Sequence, residues 1–421
     1  MTERILRMIS RYLLGTLFIF SGFVKVIDPL GSAYKFTDYF EAFGWDFLSP
    51  LALVLAVLQN SAELLIGLCL FFKLRMKVTA WALLCFMVFY TILTLIIALS
   101  NPVTDCGCFG DALVLTNWQT FFKNLIFLIP TLIVFWQRNN YEIEFSPVFE
   151  WGLVVILFLL GISVSVHSHR NLPVIDFRPY HIGANIPESM VVPDGMPHDE
   201  YEVKLVYAKN GQETEFSIET APYADTTWEW VETKNNLIKK GYEPPIHDFS
   251  LISEDGNDVT QQLLTDQGYS FLIISHRLEK ADKNGIIAMN NFAVKAQTSG
   301  YQVYGMTAST SDEIESAKQW LKPVFGLYAT DEITLKTMVR SNPGLILIKD
   351  GTVIGKWAFR NIPDDKILHS NSLSFTLTQL MHKRDTRIAI IVVLLVGISA
   401  LILFISRGRT GLFKTKPDED E

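Results

Sequence analysis

The sequence has few cysteines, four in 421 residues, and none follows position 108. A small secreted scaffold held together by disulfides would need a higher density, so that class is excluded. Cys69 and Cys85 lie within apolar stretches, where a thiol usually packs as a small hydrophobic side chain. Cys106 and Cys108 lie in a polar loop with only Gly107 between them. Thiol chemistry, if the chain has any, is therefore expected at this pair.

Charged residues are also scarce, at 19% of the chain, whereas 49% of the residues are hydrophobic and the mean hydropathy is +0.25. Such a positive average argues against a wholly soluble protein, whose surface needs polar cover. The apolar residues are concentrated in residues 1–167 and 388–406. No basic stripe indicates nucleic-acid binding, so no nucleic-acid partner is predicted. The first apolar stretch has no small-residue cleavage site behind it, so we expect a retained membrane helix rather than a signal peptide.

Several apolar runs are long enough to cross a bilayer as helices, which takes about 20 residues. The segment between the first two runs, residues 33–47, is rich in aromatic residues and is expected to lie at the membrane interface. The predicted fold is therefore a multi-pass α-helical membrane bundle that contacts the lipid bilayer, joined to a soluble α/β domain. The predicted spans are residues 8–27, 51–72, 78–99, 119–137, 148–167 and 388–406.

The distribution of basic residues predicts the orientation in the membrane. Arg4 and Arg7 precede the first span, Arg11 lies near its start, and three basic residues fill the loop after the second, whereas residues 100–117 contain no Lys or Arg. Short basic loops stay in the cytoplasm. We therefore expect a cytoplasmic N-terminus and a cytoplasmic tail at 407–421, with the cysteine loop and residues 168–386 outside. Basic residues at 383–387 oppose this orientation, which we keep because long translocated domains follow the rule loosely.

Residues 168–386 have the composition of a folded soluble region. Residues 203–218 alternate as a β-hairpin around an Asn210-Gly211 turn, within a β-rich extension predicted at 168–245. Residues 246–386 alternate strands and helices and end in a hairpin with an Asp350-Gly351 turn, which predicts a mixed sheet.

This order of elements resembles thioredoxin, in the TlpA branch of that family. Ser341-Asn342-Pro343-Gly344 is similar to the family's cis-proline strand, which implies a cis bond at Asn342–Pro343. The position of the family's CxxC motif is occupied here by Ser275-His276-Arg277-Leu278. Exchange requires a thiolate, so this domain cannot exchange thiols by itself. It is expected to bind or position a partner, namely a periplasmic client protein.

The segment Asp105-Cys106-Gly107-Cys108-Phe109-Gly110 is the most informative short motif. Glycine tolerates the backbone that so tight a ring requires. A disulfide in such a ring is expected to be strained, and strained disulfides are the more labile ones. This suits a carrier that takes electrons from a thiol and passes them to a lipid-soluble acceptor. An inert structural disulfide and half of a metal site are the alternatives, although no nearby Cys or His completes zinc ligation, so no metal is predicted.

Four ordered motifs in residues 5–137 resemble MauE, the methylamine-utilisation branch of the DoxX-like membrane proteins. The motifs are Phe20–Pro29, Ala62–Gly67, the DCGCFG loop, and Asn117-Trp118 followed by Lys123-Asn124. The resemblance implies a four-helix bundle at 1–140 in a bacterial inner membrane, similar to vitamin K epoxide reductase and the quinone-linked disulfide oxidases. It also implies a role in forming disulfides, with a quinone as the candidate cofactor, and a family-level link to methylamine metabolism. The fifth span, the thioredoxin-like domain and the sixth span depart from MauE and are similar to DoxX-family proteins of Bacteroidetes-type bacteria.

Charged residues inside the predicted spans complete the candidate site. Glu63 lies about halfway along the second span, where a bare carboxylate costs roughly 2.5 kcal/mol or more, so it should be protonated or paired. Lys25 and Lys123 lie near the outer ends of the first and fourth spans. One hypothesis is that Glu63 hydrogen-bonds to one of these lysines and relays protons near the cysteine loop. The alternative is that the lysines extend to the interface and Glu63 only locks helix packing.

The sequence thus predicts a membrane thiol–disulfide redox protein with Cys106, Cys108, Glu63 and Lys25 as its site. Two other functions stay open. One is a non-catalytic envelope assembly or docking factor with a structural Cys-Gly-Cys pair. The other is a respiratory accessory subunit of the DoxX kind.

Overall fold

The computed structural model describes residues 2–103, 105–141, 146–209, 211–364 and 368. The predicted sixth span at 388–406, the tail at 407–421 and the end of the soluble region lie outside the described residues. The described chain forms a helical bundle followed by an α/β domain, a name used here for residues 171–364.

Five helices of the described residues are long and apolar enough to cross a membrane, and they coincide with the first five predicted spans. Large apolar side chains such as Phe89 and Leu99 are exposed on their outer surfaces, as expected for a bundle that contacts lipid. The chain is a multi-pass membrane protein. In chain order the helices of the bundle are α1 (Thr2–Ile27), α2 (Pro29–Ala42), α3 (Ala52–Phe72), α4 (Met76–Ser100), α5 (Asn117–Trp136) and α6 (Pro147–Arg170).

Two glycines allow α1 and α3 to pack closely. A Cβ added to Gly22 would lie 2.4 Å from the backbone nitrogen of Leu64, and one added to Gly67 would lie 2.5 Å from that of Ile19. Small residues at helix interfaces let membrane helices approach one another in this way. The close packing brings the polar side chains of α1 and α3 into contact inside the bundle.

Helix α2 folds back across one end of the bundle. Asp28 caps it by accepting a hydrogen bond from the N–H of Gly31 at 3.1 Å, and Ala33 packs against Ala52 and Ala56 of α3. The sequence predicts an interfacial segment here. In the structure α2 lies between the bundle and the α/β domain, and this end of the bundle is called the domain side.

The α/β domain contains two sheets. The elements are, in chain order, α7 (Ile186–Ser189), β1 (Glu200–Lys209), β2 (Gln212–Ser217), β3 (Glu229–Lys239), β4 (Ile252–Ser253), α8 (Thr260–Leu264), β5 (Tyr269–Ser275), α9 (Lys283–Thr298), β6 (Gln302–Thr307), α10 (Ser311–Leu321), β7 (Gly326–Ala329), α11 (Glu332–Met338), β8 (Gly344–Lys349) and β9 (Thr352–Ala358). Strands β1 and β2 are the predicted hairpin, and β3 pairs with the other side of β1 in a three-stranded antiparallel sheet.

The second sheet has the thioredoxin-like order β4-β7-β6-β5-β8-β9. Strands β5, β6 and β7 run parallel, whereas β8 and β9 form the predicted antiparallel hairpin on the other side of β5. One hydrophobic core lies beneath α9 and α10, and a second lies on the opposite face with α11. Strand β7 is not predicted from the sequence, because its four residues carry little pattern of their own.

The segment that follows α6 belongs to the core of the α/β domain. Leu172, Tyr180 and Ile186 are buried in the second hydrophobic core, and the N–H of Gly183 donates to the carbonyl of Val353 at 2.8 Å. The sequence predicts that this segment belongs to a separate β-rich extension at 168–245. The thioredoxin-like unit instead uses residues that precede the three-stranded sheet, which is an insertion into it.

Candidate functional site

The two sulfurs of the cysteine loop lie side by side at the domain side of the bundle. Cys106 and Cys108 are free thiols with their Sγ atoms 3.0 Å apart, against about 2.05 Å in a covalent disulfide. Gly107 adopts φ +64°, which glycine tolerates, and its N–H donates to Asp105 Oδ1 at 2.9 Å. The loop therefore holds two thiols within reach of disulfide formation.

Helices α1 and α2 fix this loop from two sides. The hydroxyl of Tyr39 donates to the carbonyl of Cys106 at 2.8 Å, and the Nζ of Lys35 contacts Asp105 Oδ2 at 2.7 Å. The stem of Lys35 lies along Gly107, because a Cβ added to that glycine would be 3.1 Å from Lys35 Cγ. The loop is thus covered by the side chains of α2 on one side.

A buried polar network lies beneath the loop. Lys25 Nζ contacts Glu63 Oε2 at 2.9 Å, and each side chain is 8% exposed. Gln59 donates to the same carboxylate oxygen at 3.1 Å. The hydroxyl of Ser21 lies 2.6 Å from Glu63 Oε1 and 2.7 Å from the carbonyl of Cys108, so its single proton can go to either acceptor. Ser21 therefore connects the carboxylate to the cysteine loop.

The structure decides which lysine accompanies Glu63. The expected contact with Lys25 is present, whereas Lys123 Nζ lies over the ring of Phe109, 4.4 Å from its centroid. The tertiary structure thus brings Cys106, Cys108, Glu63 and Lys25 together at one end of the bundle. Their predicted catalytic roles stay predictions.

The two thiols have different electrostatic surroundings. The hydrogen bond from the Cys106 thiol, together with the positive charges of Lys123 and Lys25, lowers the pKa of Cys108 to about 6. The same hydrogen bond and burial raise the pKa of Cys106 well above its usual value. Cys108 is consequently the thiolate of the pair at neutral pH, and Cys106 keeps its proton.

An apolar cavity of about 330 Å³ opens beside the sulfurs, and we call it the aromatic cavity. Both cysteines and Lys25 line it, and Gln59 adds a polar amide. Its other walls are mostly large apolar side chains of α2, of the connection from α2 to α3, of α3 and of α4. These are Phe36, Tyr39, Phe40, Phe43, Trp45, Leu55, Phe89, Tyr90 and Leu93.

A second cavity, of about 300 Å³, lies between the bundle and the α/β domain, and we call it the interdomain cavity. Its bundle wall includes Tyr34, Lys35 and Gly107, and its domain wall includes Thr337 and Arg340. The two cavities approach each other at the cysteine loop. Lys25, Ser32, Lys35 and Gly107 line both of them.

Arg340 fastens the α/β domain to the bundle. Its Nε lies 2.9 Å from Asp28 Oδ2, and its Nη2 lies 2.7 Å from Asp111 Oδ2, three residues after Cys108. Its side chain is 6% exposed. Burial lowers the pKa of Arg340, but the carboxylates of Asp28 and Asp111 raise it above the usual value, so the guanidinium stays charged.

The face of the α/β domain that contacts α2 carries the residues at the position of the CxxC motif, Ser275-His276-Arg277-Leu278. The peptide bond Asn342–Pro343 is cis, as predicted, and Asn342 accepts a hydrogen bond from Ser275 at 2.7 Å. His276 packs against the ring of Tyr34 with centroids 6.2 Å apart, and burial lowers the pKa of His276 to about 4. The face expected to meet a client protein is therefore covered by the chain's own helix.

Several residues of the site were not identified from the sequence. Lys35 and Tyr39 are four residues apart on α2. This spacing is typical of any amphipathic helix and does not by itself indicate a site. Arg340 and Asp28 are 312 residues apart, and no local pattern connects them. Only the tertiary structure identifies these groups.

Two family models match parts of the chain, one in the helical bundle and one in the three-stranded sheet. Residues 3–137 match the family model of methylamine utilisation protein MauE. The N-terminal helical region is therefore similar to the membrane proteins of that family. The match covers α1 to α5, including the cysteine loop, and ends before α6. Residues 201–240, which include β1 to β3, match a domain of unknown function, DUF8463.

One solved structure is similar to the α/β domain of this chain. It is described as the solution structure of a "putative protein disulfide isomerase" from Bacteroides thetaiotaomicron. The identity is 13%, the TM-score is 0.23, and the match covers 32% of this chain and 84% of that chain. No curated protein matches the chain.

Proposed function

We propose that this protein is a membrane thiol–disulfide oxidoreductase whose redox centre is the Cys106/Cys108 pair. The observation that carries the proposal is a pair of adjacent thiols that line the aromatic cavity, in a loop whose Gly107 also lines the interdomain cavity. In the proposed route a lipid-borne acceptor occupies the aromatic cavity, and a water-borne thiol reaches the loop from the interdomain cavity. The low pKa of Cys108 supports the same assignment, because the thiolate is the reactive form of cysteine.

The acceptor that best suits the aromatic cavity is a quinone. Aromatic and aliphatic walls fit a planar ring with an apolar tail, and Lys25 and Gln59 supply polar groups beside the sulfurs. Oxidation of the dithiol releases two electrons and two protons, and a quinone that accepts both becomes a quinol. The network of Lys25, Glu63 and Ser21 offers groups that can hold those protons near Cys108.

The proposal places the protein in a bacterial inner membrane, with both termini in the cytoplasm and the domain side in the periplasm. The basic loop at Lys73–Lys77 joins α3 to α4 at the end of the bundle away from the α/β domain, as the positive-inside rule requires. The periplasm is the side on which disulfides persist. A reporter fused at residue 112 that proves cytoplasmic contradicts this orientation and the proposed electron route.

The α/β domain is part of the proposal as the element that governs access to the pair. A periplasmic client protein bound by this domain is the form of substrate that the sequence favours. Because α2 covers the His276 face, such a client would have to bind elsewhere on the domain or displace it from the bundle. The domain itself has no cysteine and takes no part in thiol exchange.

The decisive experiment is redox trapping of the pair in native membranes. A Cys69→Ser/Cys85→Ser background removes the other two thiols, so that alkylation reports only on Cys106 and Cys108. Blocking respiration should shift the pair from disulfide to dithiol, and restored respiration should reverse the shift. Cys108→Ser in the same background is the matched control and should form no disulfide.

A pair that stays in one redox state under all conditions contradicts the proposal and supports a non-catalytic assembly or docking factor. Quinone reduction that continues in the Cys106→Ser/Cys108→Ser variant also contradicts the proposal. That result supports a respiratory accessory role of the DoxX kind.

A further inference from the structure

The interdomain cavity has the position, the size and the charge of a substrate site. We infer that it admits a small zwitterionic thiol, such as free cysteine or a cysteine-containing peptide of two or three residues, which reduces the Cys106–Cys108 disulfide. This inference rests on the proposed function and names the substrate class of that site.

The position follows from the residues that line both cavities. Gly107, between the two cysteines, faces the interdomain cavity, and the stem of Lys35 lies along it. Ser32 and Lys25 complete this shared wall. A ligand in the interdomain cavity therefore meets the cysteine loop at Gly107, beside the Lys35 side chain that Asp105 holds. In the proposed reaction it reaches the sulfurs after Lys35 has left Asp105.

The size of the site excludes a folded protein in the docked arrangement. Small-ligand pockets begin at about 300 Å³, the volume of this cavity. A stable contact with a folded protein would instead bury about 800 Å² on each partner. Arg340 holds the domain against Asp28 and Asp111, so the space does not offer a surface of that extent.

The charges favour a ligand that carries both signs. Asp28 and Asp111 are paired with Arg340, and Lys35 is paired with Asp105. Among the described residues, the carboxylate of Asp38 lines the cavity and forms no hydrogen bond or ion pair. It is available to an ammonium group. On the opposite wall Arg340 is already held by Asp28 and Asp111, and Lys336, whose Nζ lies 2.8 Å from Glu332 Oε1, supplies the positive charge nearest to a ligand carboxylate.

In the proposed reaction two substrate thiols are oxidised to a disulfide, and the quinone is the final electron acceptor. One substrate thiolate attacks the disulfide and forms a mixed disulfide as the other cysteine leaves as a thiolate. A second substrate thiolate attacks the substrate sulfur of the mixed disulfide and releases the substrate disulfide. Two substrate thiols have then lost two electrons and two protons. The reduced pair passes the electrons to the quinone, which takes up two protons as it becomes a quinol.

The test uses the full-length protein, oxidised at the pair, in lipid nanodiscs. The substrates are cysteine and cysteinylglycine as small charged thiols, 2-mercaptoethanol as a neutral one, and a reduced, unfolded protein as the large one. The readout is the rate at which the pair becomes alkylatable. We expect the small charged thiols to react at least tenfold faster than the protein, per thiol.

Two variants locate the reaction in the cavity. Thr337→Trp fills it from the domain wall and should slow both charged thiols at least tenfold, whereas Thr298→Trp, at an exposed position of α9, should leave them within twofold. Asp38→Asn should slow the charged thiols but not 2-mercaptoethanol. A thermal melt and the reoxidation of a chemically reduced pair by decylubiquinone show whether each variant is folded and still reacts with the quinone.

The outcomes separate this inference from the proposed function. If quinone does not reoxidise the reduced pair of the unmodified protein, the proposed function fails. If reoxidation occurs but the unfolded protein reacts as fast as the small thiols, or Thr337→Trp has no effect, the cavity is not the entry site. In that case a client protein that displaces the domain is the substrate.

Discussion

At the residue scale, the asymmetry of the two thiols sets the chemistry of the loop. Cys108 receives the hydrogen bond of Cys106 and lies near the positive charges of Lys25 and Lys123, so it ionises first. Cys106 is 8% exposed and its carbonyl is held by Tyr39. A thiolate with a lowered pKa is also the better leaving group in exchange, so the disulfide should break toward Cys108.

Alkylation of the reduced pair tests this asymmetry. The alkylation rate of Cys108 should rise with pH through a midpoint near 6, because the thiolate reacts and its fraction grows as pH passes the pKa. Lys123→Gln removes a positive charge and should move the midpoint to higher pH, slowing alkylation at pH 6.5 by about threefold or more. Lys318→Gln, distant in the α/β domain, is the control. Equal midpoints for the two cysteines would contradict the assignment.

The buried pair of Lys25 and Glu63 gives a second prediction at this scale. Glu63→Gln keeps the shape, and its amide oxygen can still accept from Lys25 while its NH2 group donates to Ser21, but it cannot ionise. It should leave a folded protein whose pair reoxidises about 100-fold more slowly with quinone. Glu63→Ala, in contrast, should destabilise the bundle by roughly 3–5 kcal/mol, because it leaves the Lys25 charge buried and unpaired. Thermal unfolding in detergent and the reoxidation rate are the two measurements. A fully active Glu63→Gln variant would leave Glu63 only a packing role.

At the element scale, the contact of α1 with α3 positions the ionic network. Gly22 and Gly67 let the helix backbones approach, and this approach places Lys25 against Glu63. The packing of α2 across the domain side then places Lys35 and Tyr39 over the cysteine loop. The geometry of the site is thus a product of helix packing rather than of the loop alone.

A pair of glycine substitutions tests this dependence. Gly67→Ala puts a methyl group 2.5 Å from the backbone nitrogen of Ile19, so α1 and α3 must separate. We expect a loss of about 1–3 kcal/mol in stability, as for other overpacked interfaces, with slower quinone reoxidation. Gly152→Ala on α6 has no atom within 4 Å of the added methyl and should behave as the unmodified protein. Equal melting temperatures for the two variants would show that the close approach is not required.

At the scale of the whole molecule, a buried guanidinium fastens the α/β domain to the bundle. Arg340 joins the junction of α1 and α2 to the end of the cysteine loop, through Asp28 and Asp111. It lies two residues after the end of α11 at Met338. This position puts Arg340 in the connection to the cis-proline bond, facing the bundle.

Removal of this ion pair should open the molecule. Arg340→Gln leaves the part-buried carboxylate of Asp28 unpaired, whereas Asp111, with a side chain 42% exposed, stays in contact with water. The cost to docking should therefore be below the roughly 3–5 kcal/mol of breaking a fully buried pair. A bulky polyethylene-glycol maleimide should then label Cys108 at least fivefold faster, while N-ethylmaleimide, which is small, should change less. Arg360→Gln, at an exposed position of the same domain, is the matched control. Unchanged labelling by both reagents would mean that the domain does not limit access to the pair.

The sequence by itself determined the features whose physical cause is local. The length and apolarity of the helices predicted the five spans among the described residues. The Asp350-Gly351 turn predicted the hairpin of β8 and β9, and the Cys-Gly-Cys spacing predicted two neighbouring thiols. The cost of a bare carboxylate in lipid was enough to predict a partner for Glu63. Only the tertiary structure shows that Lys25 is that partner, that Gly107 lines both cavities, and that Arg340 pairs with Asp28. These contacts join residues from 38 to 312 positions apart, and the packing of whole helices and domains, which no local pattern encodes, decides them.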